Sequence, residues 1–251
     1  MAKYSILTYN FGNYEILKDP IEMDPDCEYI CVTDQTVFHS ETKWTIRVAT
    51  NIPGNTPFDK VLYVRYHPFE FVHTDTVLLI DSSIHIIKSL SFLFNDFNAS
   101  AKTLGICVHP ERSTFPTEYQ TWINYRAYPI ESAIENLERM RSTAYDLSFN
   151  GLYQVGFMLV KNNSMVMDFF KTVYNECKRN DTMERIDQII FSYVLNSRFP
   201  DIDCFCFNET TFRNDISVAM CLHGQTQHLP FWQRPKQGYY RNKLIDLYEK
   251  Y

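Results

Sequence analysis

The residues best suited to chemistry stand at the end of one apolar run, where Asp81, Ser82 and Ser83 follow residues 77–80. A run without polar alternation is typical of a central strand that is covered on both faces. In open α/β sheets, ligands bind at the carboxyl ends of the strands. The pattern therefore predicts a binding site around Asp81. The alternative interpretation is that Asp81 only tightens a turn, where Asp and Ser are common.

Two later segments add polar side chains to this prediction. Gln154 lies in the strand-like run 152–160, and Asp187 and Gln188 follow a helical stretch. We expect the three segments to meet in one cleft. Gln154 has the alternative of being a polar residue at the start of a strand. Asp187 has the alternative of an acid in the first turn of a helix, which the helix dipole favours whatever the function, but that leaves Gln188 unexplained.

The elements that must position these residues alternate between strands and helices. Strands are predicted at 4–9, 29–32, 61–64, 77–80, 103–108, 152–160, 202–207 and 218–222. Helices are predicted at 88–97, 130–141, 164–179, 186–195 and 239–251. The fold class is therefore α/β, a mixed central sheet flanked by helices in one domain over 1–235, with a C-terminal helical extension over 236–251. The chain has neither a GxGxxG nor a GxxxxGK[ST] loop, which excludes the ordinary dinucleotide and P-loop sites.

Composition narrows the class of partner and compartment. The 251 residues are 45% hydrophobic and carry a net charge of −6, which argues against a broad basic face for nucleic acid. The seven cysteines show no paired spacing for zinc, so buried free thiols in a reducing, cytoplasmic compartment are predicted. The start has no signal-peptide pattern, and no apolar stretch approaches the ~20 residues that cross a bilayer.

The order of these motifs resembles that of GT-A glycosyltransferases. The motifs are residues 9–12, 32–34, 81–83, 154–157 and 187–188. More closely, the chain resembles the glycosyltransferase-like family catalogued as domain of unknown function 616, which is related in pattern to glycosyltransferase family 8. The resemblance covers about residues 9–195 and implies a transferase that uses a nucleoside-diphosphate sugar, of the hexosyl or pentosyl type.

The resemblance also implies where the donor nucleotide binds. Thr8, Tyr9 and Asn10 would hold the base and ribose, and Asp34 would accept hydrogen bonds from one of them. Arg65 would lie near the diphosphate, because a guanidinium donates two parallel hydrogen bonds and keeps its charge.

A divalent cation, Mn²⁺ or Mg²⁺, is the cofactor that the resemblance implies. Asp81 and Ser83 occupy the place of the D-x-D motif of family 8, but the second carboxylate is missing. His223 would complete the ligand set, with His228 as the substitute. Each histidine has the alternative of a ring in an aromatic loop, and a cation-independent enzyme would use Arg65 with Lys or His side chains instead.

The remaining residues would act on the donor sugar and the acceptor. Asp187 and Gln188 match the Asp-Gln pair that family 8 places under the donor sugar, and Gln154 would line the same pocket. The pair implies transfer with retention. His109 and Arg112 match a family motif that would face the acceptor or the phosphate, with surface salt bridging as the alternative. Trp232 is the candidate acceptor or lid contact, although large aromatic residues are more often core.

Two further functions stay open at this point. The degraded D-x-D triplet suggests a catalytically inactive nucleotide- or sugar-binding protein of the same fold. The other is a transferase whose acceptor is a nucleic acid and not a carbohydrate or another hydroxyl compound, and the net acidity counts against it.

Overall fold

A computed structural model of the protein describes residues 2–13, 17–35, 41–109, 113–126, 129–143, 145–179, 187–207 and 218–220. The strands are β1 (Tyr4–Asn10), β2 (Cys27–Thr33), β3 (Thr45–Val48), β4 (Thr76–Ile80), β5 (Ile84–Ile86), β6 (Leu104–Val108), β7 (Tyr153–Lys161), β8 (Cys204–Cys206) and β9 (Val218–Met220). The helices are α1 (Pro57–Tyr66), a 3-10 turn (Pro68–Glu70), α2 (Ser91–Ala99), α3 (Phe115–Arg126), α4 (Ile130–Ser142), α5 (Ser164–Arg179) and α6 (Asp187–Arg198).

A mixed sheet organises these elements, in the order β3-β2-β1-β4-β7-β6-β8. β1 pairs in parallel with β2 and β4, and β3 and β8 also join in parallel, to β2 and β6. β7 is antiparallel to both its neighbours, β4 and β6. β5 and β9 form a separate antiparallel pair. The prediction of an α/β fold with a mixed central sheet and flanking helices is confirmed.

The sheet is buried on both faces because its central strands are apolar at successive positions. Leu7 and Leu79 pack on the face that is covered by α1, α3, α4, α5 and α6. Ile6 and Leu78 pack on the opposite face, under α2 and β5. Because such a strand is buried on both sides, its polar side chains lie at its ends, and the candidate site lies at one of these ends.

The predicted strand at 61–64 is wrong, because this segment lies in α1. Thr56 caps the helix through a reciprocal capping box with Asp59, and Pro57 occupies the first turn. These start signals favour a helix over the short apolar run that suggested a strand. The difference matters for function, because a helix brings Arg65 to the site in its last turn.

The prediction of buried free thiols holds in part. Among the described residues no disulfide joins two cysteines, and Cys31, Cys107 and Cys177 are buried. Cys206 is exposed, because it lies on the edge strand β8. Cys221 and the predicted extension over 236–251 lie outside the described residues.

Candidate functional site

A buried arginine joins three elements at the carboxyl edge of the central strands. Arg65 donates from Nε to the Tyr9 hydroxyl at 2.7 Å and from Nη2 to Asp81 Oδ1 at 2.6 Å. Its Nη1 donates to Oδ2 of Asp187, the first residue of α6. The Tyr9 hydroxyl in turn donates to Asp81 Oδ1 at 2.8 Å. Three nitrogens of one guanidinium thus donate to three different side chains. Only arginine carries three donor nitrogens in one planar group.

Burial makes this network strongly coupled. The side chains of Arg65 and Asp187 are 6% and 8% exposed, whereas that of Asp81 is 34% exposed. Burial raises the pKa of the Asp187 carboxyl, and Arg65 opposes that shift. Burial alone would lower the pKa of the Arg65 guanidinium, but Tyr9, Asp187 and Asp81 raise it overall. With both carboxyls ionised, the single positive charge of Arg65 faces two negative charges.

Gly156 on β7 provides the space for the Asp81 side chain. The backbone N–H of Asp81 donates to the Gly156 carbonyl at 2.9 Å. A Cβ added at Gly156 would lie 2.6 Å from Asp81 Oδ2 and 3.2 Å from its Cγ. A larger side chain at position 156 would therefore displace the Asp81 carboxylate. A lone glycine within an apolar strand was the sequence signal for such an approach.

Buried polar atoms that lack a protein partner occur on the predicted site residues. Ser83 Oγ, Gln154 Nε2 and Thr8 Oγ1 have no hydrogen-bond partner among the residues that the structure describes. These three residues are 3%, 7% and 1% exposed. An unpaired buried polar group costs about 1–3 kcal/mol, so most such groups have a partner in the functional state. Gln154 and Ser83 follow the start of β7 and the end of β4, which meet at the same edge because these strands are antiparallel.

The residues predicted to hold the nucleotide lie along the first two strands. Tyr9 and Asn10 are almost fully buried at the end of β1, and Asp34 follows β2. Asp34 accepts from the Gly12 N–H at 3.0 Å and from Lys60 Nζ at 3.1 Å. Lys60 was not predicted from the sequence, because only the capped helix α1 brings it to this edge.

Gln188 is held by a buried acid that sequence reasoning missed. Glu118 on α3 is 4% exposed. It accepts from Gln188 Nε2 at 3.2 Å and from Trp122 Nε1 at 3.0 Å. Ser192 Oγ donates to the Gln188 carbonyl at 2.7 Å and accepts from the Tyr153 N–H at 2.9 Å. Gln188 is thereby tied both to α3 and to the strand that carries Gln154.

The predicted acceptor residues are described only in part. His109 is 5% exposed directly after β6, and its backbone N–H donates to the Leu152 carbonyl at 2.8 Å. Arg112 and Trp232 lie outside the described residues, as do His223 and His228.

The cation that the resemblance implies is not matched by the residues that the structure describes. Among them, no group of three or more His, Cys, Asp or Glu side chains could hold a metal ion. Asp81 Oδ1 already accepts from Arg65 and Tyr9. Ser83 offers a neutral hydroxyl, which is a weak ligand for a hard cation.

Comparison with solved structures finds glycosyltransferases at low identity. Mouse xyloside xylosyltransferase 1 is 10% identical, with a TM-score of 0.47, over 83% of this chain and 86% of that one. Galactosyltransferase LgtC, in complex with donor and acceptor sugar analogs, is 12% identical, with a TM-score of 0.47, over 98% and 95%. GlyE of Streptococcus pneumoniae TIGR4 is 16% identical, with a TM-score of 0.45, over 84% of this chain and 46% of its own. Because every one of these TM-scores lies below 0.5, we take the function from the residues themselves.

No protein-family model and no curated protein matches the sequence. Within the part of the chain that the structure describes, no helix has the length and apolar character to cross a membrane.

Proposed function

We propose that this chain is a glycosyltransferase of the GT-A type that uses a nucleoside-diphosphate sugar, hexosyl or pentosyl, and a hydroxyl acceptor. The observation that carries the proposal is the Arg65 network with its two carboxylates, beside Ser83 Oγ and Gln154 Nε2, which have no hydrogen-bond partner among the described residues. A sugar offers several hydroxyls that both donate and accept, which suits orphaned side-chain atoms of both kinds. The edge itself is where α/β sheets bind ligands.

Charge at the edge is suited to the reaction. Cleavage of the bond between the anomeric carbon and phosphate places positive character on the sugar, and fixed negative groups stabilise it. Asp81 and Asp187 supply those groups, and Arg65 keeps them at set positions. In this proposal, Asp81 faces the donor because it is the more exposed of the two.

We propose that the transfer retains the configuration of the anomeric carbon. An inverting enzyme needs a base that can deprotonate the acceptor. Asp187 is buried against Arg65, and Asp81 Oδ1 already accepts two hydrogen bonds. Asp187 is too buried to serve as that base, which supports retention. The anomeric configuration of the product, read by NMR, tests this part.

A donor panel tests the proposal. We would incubate the protein with nucleoside-diphosphate sugars, with Mn²⁺ or with a chelator, and measure free nucleoside diphosphate. We expect release from one donor and at least a ~100-fold loss in Asp81→Asn. Asp26→Asn is the matched control, because Asp26 forms an exposed pair with Lys3. The chelator arm decides whether a cation is required.

The alternative function has its own outcome. Nucleotide binding by calorimetry without release from any donor would favour a binding protein that does not transfer sugar. If the protein neither binds a nucleotide nor releases one from any donor, both functions are refuted.

A further inference from the structure

We infer that Glu118 is a positioning residue that fixes which end of the Gln188 side-chain amide is presented to the donor sugar. The inference rests on the proposed function, and it concerns a residue that neither the sequence motifs nor the resemblance singled out. Glu118 comes from α3 and Gln188 from the first turn of α6, 70 residues later. Their contact therefore exists only in the folded site.

The chemistry of the three side chains settles the orientation of the amide. An ionised carboxylate only accepts, and the indole N–H of Trp122 only donates. Glu118 Oε1 accepts from that indole, and Glu118 Oε2 accepts from Gln188. The group that Gln188 turns toward Glu118 must therefore be its NH₂. Its carbonyl oxygen Oε1 then points away from Glu118, as an acceptor for a sugar hydroxyl.

The backbone of Gln188 is fixed as well. Its carbonyl accepts from Ser192 Oγ, which also accepts from the Tyr153 N–H beside Gln154. With the main chain held at its carbonyl, the direction of the Gln188 side-chain amide is set by its hydrogen bond to Glu118.

Burial of Glu118 supports the same role. A carboxylate that is 4% exposed is costly unless donors compensate it. A glutamine of the same shape would fill the space without that cost. It would carry one donor and one acceptor, however, and could not accept from both Trp122 and Gln188.

The isosteric variant Glu118→Gln tests this difference between a carboxylate and an amide. The amide oxygen at position 118 accepts from Trp122, and its NH₂ then faces Gln188. The Gln188 amide must turn over, and it presents NH₂ to the sugar instead of oxygen. We expect kcat for donor turnover to fall about 10-fold to 100-fold, the effect of inverting one hydrogen bond to substrate. We expect nucleoside-diphosphate affinity to change less than twofold, since the nucleotide is held elsewhere.

The double variant Glu118→Gln with Gln188→Glu separates positioning from packing. The carboxylate at 188 accepts from the amide at 118 and again presents an oxygen to the sugar. We expect turnover to recover above that of either single variant. The matched control is Glu176→Gln, another buried acid, which accepts from Arg198 at 2.8 Å and Tyr145 at 3.1 Å away from this contact. It should lose stability and keep turnover per folded molecule.

A second measurement does not depend on turnover. The ¹⁵N and ¹H signals of the Gln188 side chain, identified by their loss in Gln188→Glu, should shift and exchange faster with solvent in Glu118→Gln. Wild-type turnover in Glu118→Gln, a double variant no better than the singles, or unchanged amide signals would each overturn the inference. If the wild type releases nucleotide from no donor, the proposed function fails, while the NMR result still decides the contact.

Discussion

Gly156→Ala tests how tightly the position of Asp81 controls the site. The added methyl would lie 2.6 Å from Asp81 Oδ2, whereas ordinary contact begins near 3.4 Å. Gly156 is not among the glycines with positive φ, so alanine fits the backbone and the change acts through the carboxylate. The carboxylate must retreat by about 0.8 Å, the difference between these two distances, or rotate by an equivalent amount.

That movement weakens both contacts of Asp81 Oδ1. The distances of 2.6 Å to Arg65 and 2.8 Å to Tyr9 would stretch beyond the usual hydrogen-bond range of about 2.7–3.2 Å. Overpacking costs about 1–3 kcal/mol, and replacing glycine within a strand returns about 0.5–1 kcal/mol. We expect a net loss of about 0–2.5 kcal/mol in the free energy of unfolding. Misplacement of a reacting group by about 1 Å costs about 100-fold in turnover.

Gly105→Ala is the matched control for this prediction. Its methyl would lie 2.9 Å from the Cβ of Leu159 in the core, so it overpacks the sheet away from Asp81. Urea unfolding should show a similar loss of stability in both variants, whereas nucleoside-diphosphate release per folded molecule should fall only in Gly156→Ala. Turnover within twofold of wild type in Gly156→Ala, or an equal loss in Gly105→Ala, would refute the reasoning.

Two further variants address stability. Burial alone would raise the pKa of the Asp34 carboxyl, but the Gly12 N–H and Lys60 lower it overall from its usual 3.8. A carboxyl whose pKa is lowered in the folded state stabilises the protein above the usual pKa, and this stabilisation is lost as the pH falls through the lowered pKa. Asp34→Asn should therefore be less stable than wild type by about 0.5–1 kcal/mol near neutral pH. The difference should vanish when unfolding is measured at acidic pH. Ser83→Ala removes a buried hydroxyl that has no hydrogen-bond partner in the described part of the chain, and it should raise the free energy of unfolding by up to about 1 kcal/mol while weakening donor binding. Ser5→Ala, which loses a buried hydroxyl that is hydrogen-bonded, should instead destabilise the protein in the same urea titration.

The part of the site at the end of β4 was predictable from the sequence, because an apolar run that ends in an acid indicates both the strand and the position of its carboxyl end. Asp81 does follow β4 directly. The segment at 61–64 was not predictable in the same way. A short apolar run is compatible with either a strand or a helix. Here the capping residues that precede the run favour the helix.

The partners of Arg65 show why the rest could not be predicted. Its two carboxylates lie 16 and 122 residues away in the chain. No local pattern encodes such a contact. The resemblance placed Arg65 near the diphosphate, whereas the structure places its guanidinium between Asp81 and Asp187, and a diphosphate contact stays a prediction. Glu118 was missed for the same reason, since its partner comes from another helix.

The reversal of β7 explains why the two ends of the site differ in character. Because β7 runs antiparallel to β4, its beginning, not its end, lies beside Asp81. The backbone carbonyl of Gly156 therefore accepts from the Asp81 N–H, and Gln154 lies near the same edge with a side-chain nitrogen that has no partner in the described residues. The charged groups of the site are thus already paired with one another, while Ser83 Oγ and Gln154 Nε2 have no hydrogen-bond partner among the described residues. Such a division favours a ligand whose charge develops during the reaction and whose hydroxyls bind beforehand, which is the demand that sugar transfer makes.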